Sequence, residues 1–286
     1  MADALAPGSA HVTLPLAKPK ISVRGVAKHY LSTRGESVEA LGRLDLDVRT
    51  GEFLSVVGPS GCGKSTLLNM IAGFETASSG EIALDGKVIA APGPERGMVF
   101  QDYGLFPWLT VAGNVGFGPA SLGIDRAEVA QRVKQHVAMV RLDGFEDRYP
   151  HELSGGMRQR CALARCLAND PDVMLMDEPL AALDALTRLS LQEELLRIWH
   201  EASRQRPKTV VYITHAIDEA IYLSDRIIVM SERPGRIRRD IAVPFPRPRA
   251  PEIRTDPEFH NLSDEIWLLL RRESSSPASP AKGSPQ

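Results

Sequence analysis

The stretch that most constrains this chain is Gly58-Pro-Ser-Gly-Cys-Gly-Lys-Ser-Thr66, which follows the β-rich run Phe53-Leu-Ser-Val-Val57 and opens a helical pattern from Lys64 onward. A strand that ends in a glycine loop and passes into a helix is the setting in which this spacing acts as a phosphate cradle. Gly58, Gly61 and Gly63 let backbone N–H groups of the loop, which also holds Pro59, Ser60 and Cys62, converge on phosphate oxygens without Cβ obstruction. The helix N-terminus adds a dipole that favours the anion. Lys64 offers a point charge to the β- and γ-phosphates, Ser65 offers a hydroxyl to Mg²⁺, and Thr66 completes the loop. The plain alternative, a glycine turn that happens to precede a lysine, does not call for the strand and helix on either side. The expected ligands are ATP and Mg²⁺.

Length and charge narrow what such a site can serve. With 286 residues the chain can hold one large domain and a modest appendage. Lys and Arg number 34 against 36 Asp and Glu, so no bulk positive field exists to hold nucleic acid or anionic lipid. The N-terminus lacks the basic and apolar regions of a signal peptide, and no apolar run approaches the roughly 20 residues needed to cross a bilayer. The expectation is a protein that stays in the cytosol and does not span a membrane. Cys62, Cys161 and Cys166 form no disulfide framework and no paired metal knuckle, which fits a reducing compartment. Cys62 reads as a small loop residue, with redox control of the loop the sharper alternative, and the other two read as buried thiols.

Short apolar runs alternate with helical segments along the chain, the pattern of a layered α/β domain with a parallel sheet. Ile21–Val26, Phe53–Val57, Gly97–Phe100, Val173–Met176 and Thr209–Ile213 read as strands. Asp85-Gly86 inside the run from Glu81 to Ile89 predicts a hairpin, because that dipeptide accepts the positive φ of a tight primed turn. Asp125 and Glu128 have capping-box spacing ahead of Val129, Val133, Val137 and Val140 on one helical face. Helices are also expected from Leu186 to Ser203 and, amphipathic, from Phe259 to Leu270. Residues 1–20, rich in Ala and Pro, are expected to be a flexible segment, and the Ser/Pro/Ala tail 273–286 to be disordered.

Two further segments carry chemistry. Val173-Met-Leu-Met-Asp177-Glu178 drives two adjacent carboxylates to the C-terminal end of a strand, where α/β sheets place their ligands. Asp177 suits Mg²⁺ through water, and Glu178 suits the task of orienting and deprotonating an attacking water. Leu153-Ser154-Gly155-Gly156-Met157 then offers a hydroxyl, glycine N–H groups and a helix start, the parts of a second anion site.

With this last motif the chain clearly resembles the ABC ATPase family, whose signature is Leu-Ser-Gly-Gly-Gln; Met157 replaces the Gln and leaves the phosphate-facing atoms intact. The resemblance covers roughly residues 21–235 and implies a P-loop core with a parallel sheet, an antiparallel β subdomain and an α-helical signature subdomain. Residues 236–272 would then form a C-terminal extension with the terminal helix. Further positions match in order. Gln101 resembles the glutamine that touches Mg²⁺ and senses the membrane partner, Ala182-Leu-Asp184 the loop that communicates between sites, and His215 the switch histidine of the γ-phosphate. Tyr30 resembles the aromatic residue that stacks on adenine. The resemblance implies a homodimer that sandwiches ATP between Lys64 of one copy and Ser154 of the other, with Gly155 and Gly156 beside it. It also implies separate transmembrane permease subunits, a periplasmic or extracellular solute-binding protein, and a place on the cytoplasmic face of the membrane.

Met98 to Val111 and Arg233-Pro-Gly-Arg236-Ile look like the ATPases of the nitrate, sulfonate, taurine and bicarbonate importer group. The aromatic loop Tyr103-Gly-Leu-Phe-Pro-Trp108 reads either as a grip on the permease or as core, and the basic run Arg233, Arg236, Arg238, Arg239, Arg247 and Arg249 as a solvated face or a contact for an anion. A soluble ABC ATPase acting on nucleic acid or ribosomes would usually carry two cassettes or a long coiled-coil insertion. A P-loop kinase would not need the signature or the loop at Asp184. The chain has neither the second cassette nor the heptads.

Overall fold

The computed structural model describes residues 18–31 and 35–271. The N-terminal segment up to residue 17 and the tail from 272 lie outside the described residues. Ten strands form two sheets. The larger sheet is built from β3 (Phe53–Val57), β6 (Arg96–Val99), β7 (Val173–Asp177), β8 (Thr209–Ile213), β9 (Arg226–Met230) and β10 (Ile237–Ala242), in the order β10-β9-β3-β8-β7-β6. Its strands run parallel except β10, which pairs antiparallel with β9. The smaller sheet, β2-β1-β4-β5, is antiparallel and uses β1 (Ile21–Leu31), β2 (Ser37–Val48), β4 (Ser79–Leu84) and β5 (Lys87–Val88).

Period-two alternation in the central strands decides how the layers form. Leu54, Val56, Val173, Leu175, Val211 and Ile213 point to one face, where they pack with α1 (Lys64–Ala72) and the antiparallel sheet. Phe53, Val57, Met174, Met176, Val210 and Tyr212 point to the other, where they meet α4 (Gly155–Ala168), α5 (Ala185–Ala202) and α6 (Ile217–Leu223). Strands buried on both faces read as continuous apolar runs, as β7 and β8 do. The expected Asp85-Gly86 hairpin forms, with φ of 49° and 78° at the two turn residues.

Helices α2 (Val111–Ser121), α3 (Arg126–Met139) and α4 make a helical subdomain. Val137 and Val140 are buried in it, while Val129 and Val133 lie against Gly116 of α2. The capping box at Asp125 forms by half: its side chain accepts from the Ala127 amide at 2.8 Å, but Glu128 pairs with Arg132 instead of reaching back.

The described part of the C-terminal extension, up to Arg271, begins with β10 at the edge of the large sheet and ends as α7 (Pro257–Arg271), which packs on α6. The solvated-face expectation for the basic run fails at Arg247 and Arg249. Arg249 is 7% exposed, and its guanidinium donates to the carbonyl oxygens of Tyr222, Ser224 and Phe245. Arg247 lies 4.5 Å from the Trp199 ring centroid and donates to Asp225 at 2.6 Å. Acceptors at the end of α6 and an aromatic wall recruit these two arginines inward. Among the described residues no helix is long and apolar enough to cross a membrane.

Candidate nucleotide site

The C-terminal ends of β3, β8, β7 and β6 gather the chemistry at one edge of the sheet, as parallel α/β sheets do. The phosphate loop leaves β3 and closes on α1. Lys64 is buried to 6% exposure, and its ammonium donates to the carbonyls of Gly58 at 2.8 Å and Pro59 at 3.0 Å. The loop thus holds its own lysine head in place. Cys62 is buried, as are Cys161 and Cys166, and burial pushes the thiols of the last two up to about 12.

An open cleft of about 340 Å³ is lined by Tyr30, Val38, Ala40, Ser60, Gly61, Gly63, Lys64, Ser65, Thr66, Glu178 and Arg233. Ser65 donates its hydroxyl to Asp177 at 3.1 Å. Burial raises the proton affinity of the Asp177 carboxyl above the usual range, the Ser65 hydrogen bond offsets part of that, and the neighbouring Glu178 charge adds to it. Two adjacent carboxylates, one of them reluctant to ionise, beside a hydroxyl form an oxygen donor set that a hard divalent cation relieves. Glu178 Oε2 lies 3.0 Å from His215 Nδ1. Tyr30 is 39% exposed, and its hydroxyl donates to Glu75. Burial raises the phenol above its ordinary value, with the Glu75 contact adding to the shift. Gln101 sits exposed just beyond β6 and does not line the cleft.

The other half of the expected machinery lies elsewhere in the chain. Ser154 caps α4 by accepting from the Met157 backbone amide at 3.3 Å, a bond indifferent to the side chain at 157. Ser154 and Gly156 line a separate cleft of about 450 Å³ with Arg141, Arg160, Leu186 and Thr187, and Gly155 packs against Leu183. Asp184 caps α5 through the Thr187 amide at 3.0 Å, and that bond holds its carboxyl below the usual range. Sequence reasoning did not find Val38, Ala40 and Glu75. Two of them are small apolar residues on a strand and the third is a surface acid, so no local pattern marks them.

A phosphate loop, a strand-end carboxylate pair and a histidine contact on a parallel sheet define a P-loop nucleoside triphosphatase. Residues 41–181 match the family described as ABC transporter. The chain is 46% identical over 254 residues to a taurine import ATP-binding protein of Roseobacter denitrificans, covering 87% of this chain and 93% of that one. It is 48% identical over 252 residues to an aliphatic sulfonates import ATP-binding protein of Bacillus cereus, covering 88% and 96%. An ATP-binding cassette solved as a dimer in a post-hydrolysis state with ADP and phosphate aligns with a TM-score of 0.68 and 32% identity, covering 79% of this chain and 99% of that one. The chain belongs to the ABC transporter family, in its ATP-binding and ATP-hydrolysing branch.

Proposed function

We propose that this protein hydrolyses ATP in a head-to-tail homodimer to drive sulfonate uptake, taurine being one such solute, through a separate permease at the cytoplasmic face of a membrane. The observation that carries the dimer is the separation of the two anion sites. Lys64 and Ser154 line different clefts of one chain, so neither cleft alone surrounds a triphosphate. The ATP-binding cassette solved as a dimer supports this arrangement. The solute class rests on relatives named for taurine and aliphatic sulfonates.

In this reading Tyr30 faces the base, and loop amides with Lys64 hold the phosphates. Ser65 and Asp177, with Gln101 drawn in, would hold Mg²⁺, which neutralises phosphate oxygen charge when bound. Glu178 takes the proton of the attacking water at its carboxylate, and His215 Nδ1 orients that carboxylate from 3.0 Å. Ser154, Gly155 and Gly156 of one copy close over the phosphates held by its twin, and Asp184 lies at the seam. Loss of phosphate removes the charge that draws the two copies together.

Outside the site, Phe106, Trp108 and Phe117 form an aromatic cluster with Trp108 69% exposed, which suits a docking face for the permease. The test is reconstitution of the chain with its permease and solute-binding protein in vesicles. Taurine or an alkyl sulfonate should stimulate ATP hydrolysis, and nitrate and bicarbonate should not. Stimulation by nitrate alone would overturn the solute class, and basal hydrolysis indifferent to the permease would overturn the transport role.

A further inference from the structure

The turn joining β9 to β10, Ser231 to Arg236, lies far downstream of the phosphate loop in sequence but packs directly on it. The Gly235 amide donates to the Ala40 carbonyl at 3.1 Å, and its carbonyl accepts from the Gly42 amide at 3.0 Å. A Cβ at Gly235 would collide with the Cys62 carbonyl oxygen, so only glycine permits this seat. Ser231 pins the turn's shape: its amide donates to the Arg236 carbonyl at 2.9 Å, and its hydroxyl donates to the Pro234 carbonyl at 3.2 Å.

Arg233 projects from this seated turn over the loop. Its Nε donates to the Gly61 carbonyl at 3.3 Å, and its exposed guanidinium lines the nucleotide cleft. Among the described residues lining that cleft only Lys64 and Arg233 are cationic, and the Lys64 ammonium is already buried against two loop carbonyls. The bond to Gly61 runs through Nε, which leaves the forked Nη groups in the geometry that binds phosphate oxygens two at a time. Tyr30, Val38 and Ala40 form the aromatic and apolar part of the cleft, suited to a base, whereas Arg233 hangs on the phosphate loop itself.

We propose that Arg233 is a ligand of the bound triphosphate, a second cation delivered to the phosphate loop by the β9–β10 turn. The proposal rests on the reading of this cleft as the ATP site. It assigns the Arg-Pro-Gly-Arg run a direct part in nucleotide binding, and it makes the seat at Gly235 the device that positions the guanidinium.

The test is equilibrium binding of ATP, ADP and AMP, each with Mg²⁺, to the full chain and to R233A, R233K and K64A. R233A should weaken ATP and ADP binding about tenfold and leave AMP binding nearly unchanged. R233K should recover part of the loss, and the melting midpoint without nucleotide should stay at the wild-type value. ATP binding by R233A at wild-type affinity, with K64A deficient, would overturn the role of Arg233 and leave the site standing. A lower nucleotide-free midpoint with equal losses for all three nucleotides would make the arginine a brace for the loop and overturn the proposal too. A wild-type chain that bound no ATP would instead overturn the reading of the cleft.

Discussion

Glu178 holds a φ of +44°, in the left-handed region that costs a side chain roughly 1–2 kcal/mol. Strand β8 maintains it, because the Glu178 amide donates to the Ile213 carbonyl at 3.0 Å. Backbone strain at a carboxylate already aimed at His215 fits a position kept for chemistry. Behind it sits a second acid with a different burden. Glu219 is 4% exposed, pairs with the Tyr212 hydroxyl, and lies within electrostatic range of Arg188, which donates to the Leu183 carbonyl at 2.9 Å. Burial raises the Glu219 carboxyl above its ordinary 4.5, the Tyr212 and Arg188 contacts offsetting part of the shift. A carboxyl raised on folding stabilises the fold most below its ordinary value and loses that contribution as pH climbs through the folded value. The stability of the wild type relative to Glu219→Gln should therefore be greatest below about pH 4.5 and shrink as pH rises through the elevated folded value, as measured by urea melts of both proteins. An equal gap at every pH would refute the burial account. Nothing local in the sequence marks Glu219, because its cost comes from burial in the packed core and the groups that offset it, Tyr212 on β8 and Arg188 on α5, are brought to it only by the fold.

Elements join through a few polar anchors that periodicity does not reveal. Asn114, wholly buried on α2, accepts from the Phe106 amide at 2.8 Å and donates to the carbonyls of Phe106, Leu109 and Thr110, so the helix fixes the aromatic loop before it. Arg249 does the same for the C-terminal extension, satisfying carbonyls at the end of α6 that the helix cannot satisfy itself. Removing that cation strands buried acceptors, each costing about 1–3 kcal/mol. Arg249→Met should lower stability by roughly 2–4 kcal/mol and open residues beyond β10 to limited proteolysis before the core unfolds. Cleavage at the wild-type rate would show that α7 holds the extension alone. The strands β1, β3, β6, β7 and β8 and the helix α7 were legible because short apolar runs or amphipathic spacing mark them in the sequence. Helix α2 was not legible: Pro119 and three glycines, Gly113, Gly116 and Gly118, give it the composition of a loop, and only packing against α3 and α4 makes it helical.

At the scale of the whole molecule, the proposed dimer calls for a surface on which a second copy could sit. Leu186 is 79% exposed and lines the same cleft as Ser154, an apolar surface beside the residues proposed to close over a partner's phosphates. Glu178→Gln should keep the phosphate loop intact, bind ATP, and lower turnover by about 10²–10⁴-fold. If hydrolysis releases the proposed pair, that variant with ATP should elute as a dimer in size-exclusion chromatography, and adding Ser154→Arg should return it to monomer. A monomer under both conditions would show that each cleft works alone.

Local chemistry needs only neighbours in the chain, and there the sequence was sufficient by itself. The glycine spacing of residues 58–66, the carboxylates ending β7 and the cap at Ser154 follow from backbone geometry within a few residues. Tertiary structure alone decided which distant groups share a volume. In the order β9-β3-β8-β7 the ends of strands remote in sequence meet at one edge, which brings Glu178 after β7 and Arg233 after β9 to the phosphate loop after β3, while β1 of the antiparallel sheet adds Tyr30 and the end of α6 draws Arg249 inside. The physical reason is that strand order and two-sided burial are set by the packing of the whole core, whereas a motif records only its own turn.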